Sequence, residues 1–437
     1  MKFNYLLLIG FLLLSGCNSV KITTSNNIMK KNNVELADEF VVVAFGGPTL
    51  EYTNLERFQE IADANIDIIV PGNQSDDGPS NLKALDLAEK AGIRMLTWDK
   101  RVCPMAITTE APIDYEVLQA MTDDYKNHPA FAGYVIRDEP DAGIFLRLAE
   151  IRKLYLEKDP AHEPLINLFP SYANDEQLGA KGFQDYLDKF IRIVEPSIVS
   201  YDNYALLADS IASPEVKEQR EEVYFNDLKV VGETTRKAGI PFWNFILAAG
   251  VNCEGKEYLR VPNRAEILWQ ANTTLAYGAR GVCWFCCWTP KVATMPGALA
   301  LNEEYFDGMI NGDGTKNPMY DYIKEENAFL RKNGRKFVDW DCAFNARYKK
   351  GKIVNGNSPI ATPSGENFDL VIGTFTKENK RCLIIANASY KKSAEFSLLP
   401  AEKFKEVKTV STIDAKFDEE KEVWKLEPGG CAVVKLK

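Results

Sequence analysis

The segment Tyr134-Val135-Ile136-Arg137-Asp138-Glu139-Pro140 puts two carboxyl groups and a guanidinium side by side. Such a cluster suits proton transfer. Burial and the charge of Asp138 would raise the pKa of Glu139, and Arg137 would oppose the shift. A carboxylic acid kept protonated near neutral pH can give its proton to a leaving oxygen. The bland alternative for Glu139 is a salt-bridged structural residue. On a strand, Arg137 and Glu139 would share a face, because side chains alternate. Arg137 would then bind a ligand, orient the acid or form a structural pair.

A rigid frame must hold these groups. From Glu39 onward, short apolar runs alternate with longer helical patterns. The runs are 40–45, 66–70, 93–98, 131–136, 164–169, 198–201, 242–247 and 282–288, and Gly92, Gly239 and Gly278 close helical stretches between them. Strands that are apolar on both faces are buried on both faces, which indicates a parallel sheet. Eight such units favour closure into a (β/α)₈ TIM barrel, in the α/β class, over an open doubly wound sheet. After Arg335 the texture changes to short alternating runs at 370–375, 382–387, 394–398 and 431–436. These predict a small antiparallel β-sandwich. The expected division is a barrel over 39–334 and a sandwich over 335–437.

In such a barrel the active site lies at the carboxyl ends of the strands. Those ends carry Phe45-Gly46-Gly47, Asn73-Gln74, Trp98-Asp99, Arg137-Asp138-Glu139, Asn167 with Pro170-Ser171-Tyr172, Asp202-Asn203-Tyr204, Asn244, Trp284 and Trp288. Carboxylates and amides pair with sugar hydroxyls, and indole or phenol faces stack on the apolar faces of sugar rings. An oligo- or polysaccharide is therefore the expected partner. Its contacts would be Trp98, Asp99, Arg137, Asp138, Asn167, Tyr204, Asn244, Trp284 and Trp288. The aromatic residues, Trp243 among them, could equally be core.

Glycosidic hydrolysis needs two carboxyl groups, about 5 Å apart for retention or about 6.5–9.5 Å for inversion. Asp202 is the first choice as partner to Glu139; Glu254 and Asp99 are the others. Asp202 could instead accept a substrate hydroxyl or cap the next helix.

Composition narrows the field further. A net charge of −10 repels phosphate backbones, so nucleic acid is not an expected partner. The sequence holds no phosphate loop or dinucleotide fingerprint, so no cofactor is expected. With two histidines, His128 and His162, a histidine-rich metal site is disfavoured, and His128 reads as a surface or cap residue. Of nine cysteines, Cys283, Cys286 and Cys287 share one apolar run and read as small buried residues; Cys283 and Cys286 have no second pair nearby to complete a zinc site.

The first residues are a targeting segment. Lys2 precedes the apolar run Tyr5 to Leu14, which is too short to span a bilayer comfortably. It ends in Leu14-Ser15-Gly16-Cys17, which resembles a bacterial lipobox. That resemblance implies cleavage before Cys17, acylation of its thiol, export, and anchoring to the cell envelope, with the outer membrane as the expected site. Residues 1–17 would be the signal and 18–38 a polar tether.

Tyr134 to Pro140 is similar to the strand-4 segment of clan A glycoside hydrolases, in which an acid/base Glu follows an Asn. The stretches Leu259-Arg260-Val261-Pro262, Trp269-Gln270, Leu275 to Gly281 and Trp284-Phe285 resemble the last barrel unit of family 42, the β-galactosidase-like enzymes. The resemblance spans the barrel and implies an exo-acting glycosidase with Glu139 as acid/base. Two positions depart from it. Asp138 stands where the clan has Asn, and strand 7 ends in Ala248-Ala249-Gly250, without the nucleophilic Glu. The second departure motivates a competing expectation: a non-catalytic, glycan-binding lipoprotein on a degenerate barrel.

Overall fold

A computed structural model describes residues 34–71, 77–289, 302–401, 404 and 406–436. Cys17 and Asn73-Gln74 lie outside the described residues.

The first seven apolar runs form β1 (Val41–Phe45), β2 (Ile68–Val70), β3 (Arg94–Trp98), β4 (Phe131–Asp138), β5 (Pro164–Leu168), β6 (Val199–Asp202) and β7 (Phe242–Leu247). Two short strands that the sequence did not suggest follow, β8 (Gly250–Cys253) and β9 (Lys256–Leu259). The eighth run becomes β10 (Gly281–Phe285). The parallel strands close in the order β1-β10-β7-β6-β5-β4-β3-β2. Pairing of Val41 with Gly281 and of Phe45 with Phe285 completes the barrel and excludes the open sheet.

Ten helices are described: α1 (Leu55–Asp63), α2 (Gly78–Ala91), α3 (Cys103–Ile107), α4 (Tyr115–Tyr125), α5 (Phe145–Lys158), α6 (Asp175–Leu178), α7 (Gly182–Val194), α8 (Pro214–Ala238), α9 (Arg264–Ala276) and α10 (Pro318–Gly334). Local chemistry sets their ends. Ser213 caps α8 ahead of Pro214, and Asn263 forms a capping box with Glu266 on α9.

Side chains alternate along each strand. Val41, Val43, Leu96, Val135, Leu165, Trp243, Phe245 and Cys283 fill the barrel interior. Val42, Ala44, Met95, Ile136, Ile246, Val282 and Trp284 belong to the outer layer packed against the helices.

After the barrel, β11 (Glu303–Phe306) pairs antiparallel with β8. The C-terminal strands are β12 (Asp341–Lys349), β13 (Lys352–Gly356), β14 (Ala361–Ser364), β15 (Leu370–Lys377), β16 (Lys380–Asn387), β17 (Ala394–Pro400), β18 (Val407–Asp418) and β19 (Val423–Leu436). One end of β19 pairs with β16 and the other with β17, so the antiparallel sheet folds over into a sandwich-like domain around its own core.

This domain docks on α9. Trp269 Nε1 donates to the Ala388 carbonyl at 3.0 Å, and Asn272 Nδ2 to the Gly429 carbonyl at 3.0 Å. Gly373 permits the closest approach, because a Cβ there would lie 2.0 Å from the Ala276 oxygen.

Candidate active site

At the carboxyl end of the barrel a cavity of about 40 Å³ is lined by the polar groups of Asp138, Asn167, Asp202 and Tyr204 and by Phe45, Trp98, Phe245 and Phe285. A bulge in β4 decides which acid enters it. The register with β5 shifts between Val135 and Arg137, so that Arg137 aligns with Ile166 and Asp138 with Asn167. Ile166 belongs to the outer core. The shared face expected for Arg137 and Glu139 therefore does not form, and Asp138 lines the cavity instead. Glu139 has already left the strand, at φ 44°, in the left-handed region that a non-glycine residue rarely adopts. Its N–H donates to the Asn167 carbonyl at 2.8 Å, which holds the turn against β5.

Asn167 links the acids. Its Nδ2 donates to Asp138 Oδ1 at 3.0 Å and to Asp202 Oδ1 at 3.4 Å, while its own oxygen accepts from Ser200 Oγ at 2.8 Å. Three carboxyl groups meet here in a partly dry place. Burial, then the charges of Asp202, Asp138 and Glu303, hold Glu139 well above the usual carboxylate range, against the opposing charge of Arg137. Burial and Asp138 push Asp202 up, opposed by donors on Asn167 and Tyr204. Burial also raises Asp138, against Asn167 and Arg137. Like charges this close favour states in which protons stay on the cluster.

Trp98, Asp138, Asn167, Asp202 and Tyr204 are thus brought together as expected. Besides Arg137, four expected contacts are not. Asp99 faces the helix layer, where it accepts from Arg101 at 2.6 Å and from the Tyr125 hydroxyl at 2.5 Å. Asn244 Nδ2 donates to Thr274 Oγ1 of α9 at 3.0 Å. Trp284 Nε1 donates to Asn327 of α10 at 2.8 Å. Trp288 lies beyond the end of β10, buried against Tyr52 at a ring separation of 5.4 Å. Strand pleating turns Asn244 and Trp284 outward, since their neighbours Phe245 and Phe285 face the cavity. Glu254 is exposed in the tight β8–β9 turn at φ 50°. His128 does act as a cap, its Nδ1 accepting from the Ala130 N–H at 3.2 Å.

Three more residues stand near the acids: Tyr172, already named among the strand ends, and Glu303 and Tyr305, which the sequence reading missed. Tyr172, after β5, has its hydroxyl pushed up by burial and by Asp202 and Glu139, and the Arg220 guanidinium stacks 3.8 Å from its ring centre. Glu303 and Tyr305 arrive from β11, and Tyr305 OH donates to Glu303 Oε2 at 2.7 Å. Tyr172 was legible because Pro170 to Tyr172 directly follows β5. Glu303 was not, because strand pairing alone brings it here.

No family model and no curated protein matches the sequence. Solved structures do share the fold. A cold-adapted β-galactosidase from Rahnella sp. R3 superposes with a TM-score of 0.56 at 9% identity, over 92% of this chain and 99% of that one. A family 42 β-galactosidase from G. stearothermophilus gives 0.54 at 9% identity, over 93% and 99%. A β-galactosidase from a psychrophilic Marinomonas gives 0.51 at 9% identity over 70% of this chain; the chain spans 62% of that enzyme. At this identity the likeness is one of fold, and it agrees with the closed barrel and sandwich-like domain.

Proposed function

We propose that the protein is a glycoside hydrolase that acts at the end of a β-linked glycan, with Glu139 as proton donor. The observation that carries this reading is a half-buried Glu139, its pKa raised by burial and by the charges of Asp202 and Asp138, at the carboxyl end of a barrel shared with β-galactosidases. Protonated Glu139 gives its proton to the glycosidic oxygen as the bond to the anomeric carbon breaks. Asn167, Tyr204 and Trp98 offer the hydroxyl and ring-face contacts that a sugar needs. Asp202, first choice from sequence as the second carboxylate, enters as the group that keeps the proton on Glu139.

Glu139→Gln is expected to lower kcat on unactivated β-linked oligosaccharides by about 10²–10⁴-fold while calorimetric binding persists. Full activity in that variant removes the assignment. The sign of the pH dependence follows from the cluster. Activity needs protonated Glu139, so it falls as pH rises through the Glu139 pKa. Asp202→Asn removes a charge that raises this pKa, so the basic limb of kcat/KM should move to lower pH.

A second reading is a glycan-binding protein without turnover. It is favoured by the absence of a carboxylate at the end of β7, where Leu247 runs into Ala248-Ala249. It predicts that the wild type binds these oligosaccharides and releases no product. We further propose that Cys17 anchors the protein to the envelope. Labelled fatty acid should enter the wild type and not Cys17→Ala; equal labelling would sink the anchor.

A further inference from the structure

β7 ends without an acid, yet a carboxylate reaches that side of the mouth from far along the chain. β8 follows β7 almost directly. β11 pairs with it antiparallel, with Glu303 opposite Cys253 and Tyr305 opposite Val251. The small sheet β11-β8-β9 therefore extends the β7 and β10 side of the barrel. Tyr305 stands edge-on to Phe285, one of the cavity rings, at a centroid separation of 5.4 Å. Its hydroxyl donates to Glu303 Oε2 at 2.7 Å, and Cys253 Sγ lies 3.9 Å from Oε1. Glu303 is half-buried. Its charge acts on Glu139, and that of Asp138 acts on the Tyr305 hydroxyl.

We infer that Glu303, held by Tyr305 on the wall that β8 and β11 build, is the carboxylate that works opposite Glu139. The inference rests on the glycosidase reading above. Glu303 accepts from the Tyr305 hydroxyl, which fixes the direction of the carboxyl group. It is also the cluster member contributed from the β7 side, whereas Asp138, Glu139 and Asp202 come from β4 and β6.

In the step assigned to it, the bond between the anomeric carbon and the glycosidic oxygen breaks. Its electron pair leaves with that oxygen, which takes the proton of Glu139. For inversion, Glu303 removes one proton from the water whose oxygen bonds to the anomeric carbon. For retention, a Glu303 oxygen bonds to that carbon and is displaced in a second step by water, whose proton returns to Glu139.

The test compares Glu303→Ala and Asp202→Ala in the full chain, with thermal midpoints measured alongside. Turnover is followed on β-linked oligosaccharides, and on 2,4-dinitrophenyl β-glycosides with and without sodium azide. Glu303→Ala should lose about 10²–10⁴-fold in kcat at a midpoint close to wild type. Azide should restore its turnover and leave a glycosyl azide. Isosteric Glu303→Gln replaces the alanine variant if that one does not fold. Tyr305→Phe should fold and lose less activity than either. Wild-type turnover in Glu303→Ala or Glu303→Gln, or azide rescue of Asp202→Ala alone, overturns the inference and leaves Glu139 in place. A wild type that hydrolyses nothing, or a fully active Glu139→Gln, removes the glycosidase reading and this inference together.

Discussion

At the scale of single residues, the site is defined by the direction of a few side chains. The Asp138-Glu139 pair is legible in sequence because two adjacent acids before a proline at the fourth strand are conspicuous. Their geometry is not. One extra residue at the β4 bulge turns Asp138 toward Asn167, and a left-handed φ at Glu139 carries the acid out of the strand. Bulges re-aim side chains in this way near active sites. Backbone strain is tolerated when neighbours fix it, and at Glu139, the proposed proton donor, the Asn167 carbonyl accepts the N–H. The basic-limb shift expected for Asp202→Asn therefore probes the same turn: no shift would mean that Asp202 and Glu139 do not share a field.

At the scale of elements, α8 ties two mouth loops together. Asp227 is fully buried on it and accepts from the Ser171 N–H at 3.0 Å and from Asn203 Nδ2 at 2.7 Å. Ser171 precedes Tyr172, and Asn203 sits between Asp202 and Tyr204. Burial pushes Asp227 from 3.8 up to about 6, against these donors. Its folded pKa is above its unfolded one, so the stability it contributes is complete below pH 3.8 and fades as pH rises to about 6. The difference corresponds to about 3 kcal/mol. Asp227→Asn cannot titrate. Its thermal midpoint should therefore gain on the wild type between acid and neutral pH, and a constant offset across that range would contradict the linkage. Sequence could not single out Asp227, because nothing in a helix pattern marks which polar residue turns inward.

At the scale of the molecule, barrel and sandwich-like domain share α9, which is buried from Glu266 to Ala276. One side of the helix packs on β7 and β10, and the other receives β15, β16 and β19. Ion pairs extend the seam, with Arg347 on Glu222 and Lys349 on Glu218 at 2.6 Å. At Gly373 the approach leaves no room for a methyl group. Gly373→Ala should cost about 1–3 kcal/mol, as overpacked cores do, and lower the thermal midpoint of the whole chain. An unchanged midpoint would show that the two domains do not support each other.

Apolar runs of the right length, repeated eight times with glycine-closed helices between them, determine the barrel. Burial on both faces needs no partner to be known, so this was readable from the chain alone, as were Asp138, Glu139, Asn167, Asp202, Trp98 and Tyr204 at the strand ends. Which end residues face the cavity was decided only by tertiary structure. Pleat parity sends Asn244 and Trp284 outward, and the β4 bulge re-aims Arg137 and Asp138; parity depends on register, which a lone strand does not fix. Glu303 shows the same limit from the other side. Its place on the β8 side of the mouth comes from pairing between β8 and β11, a long-range contact with no trace in local sequence.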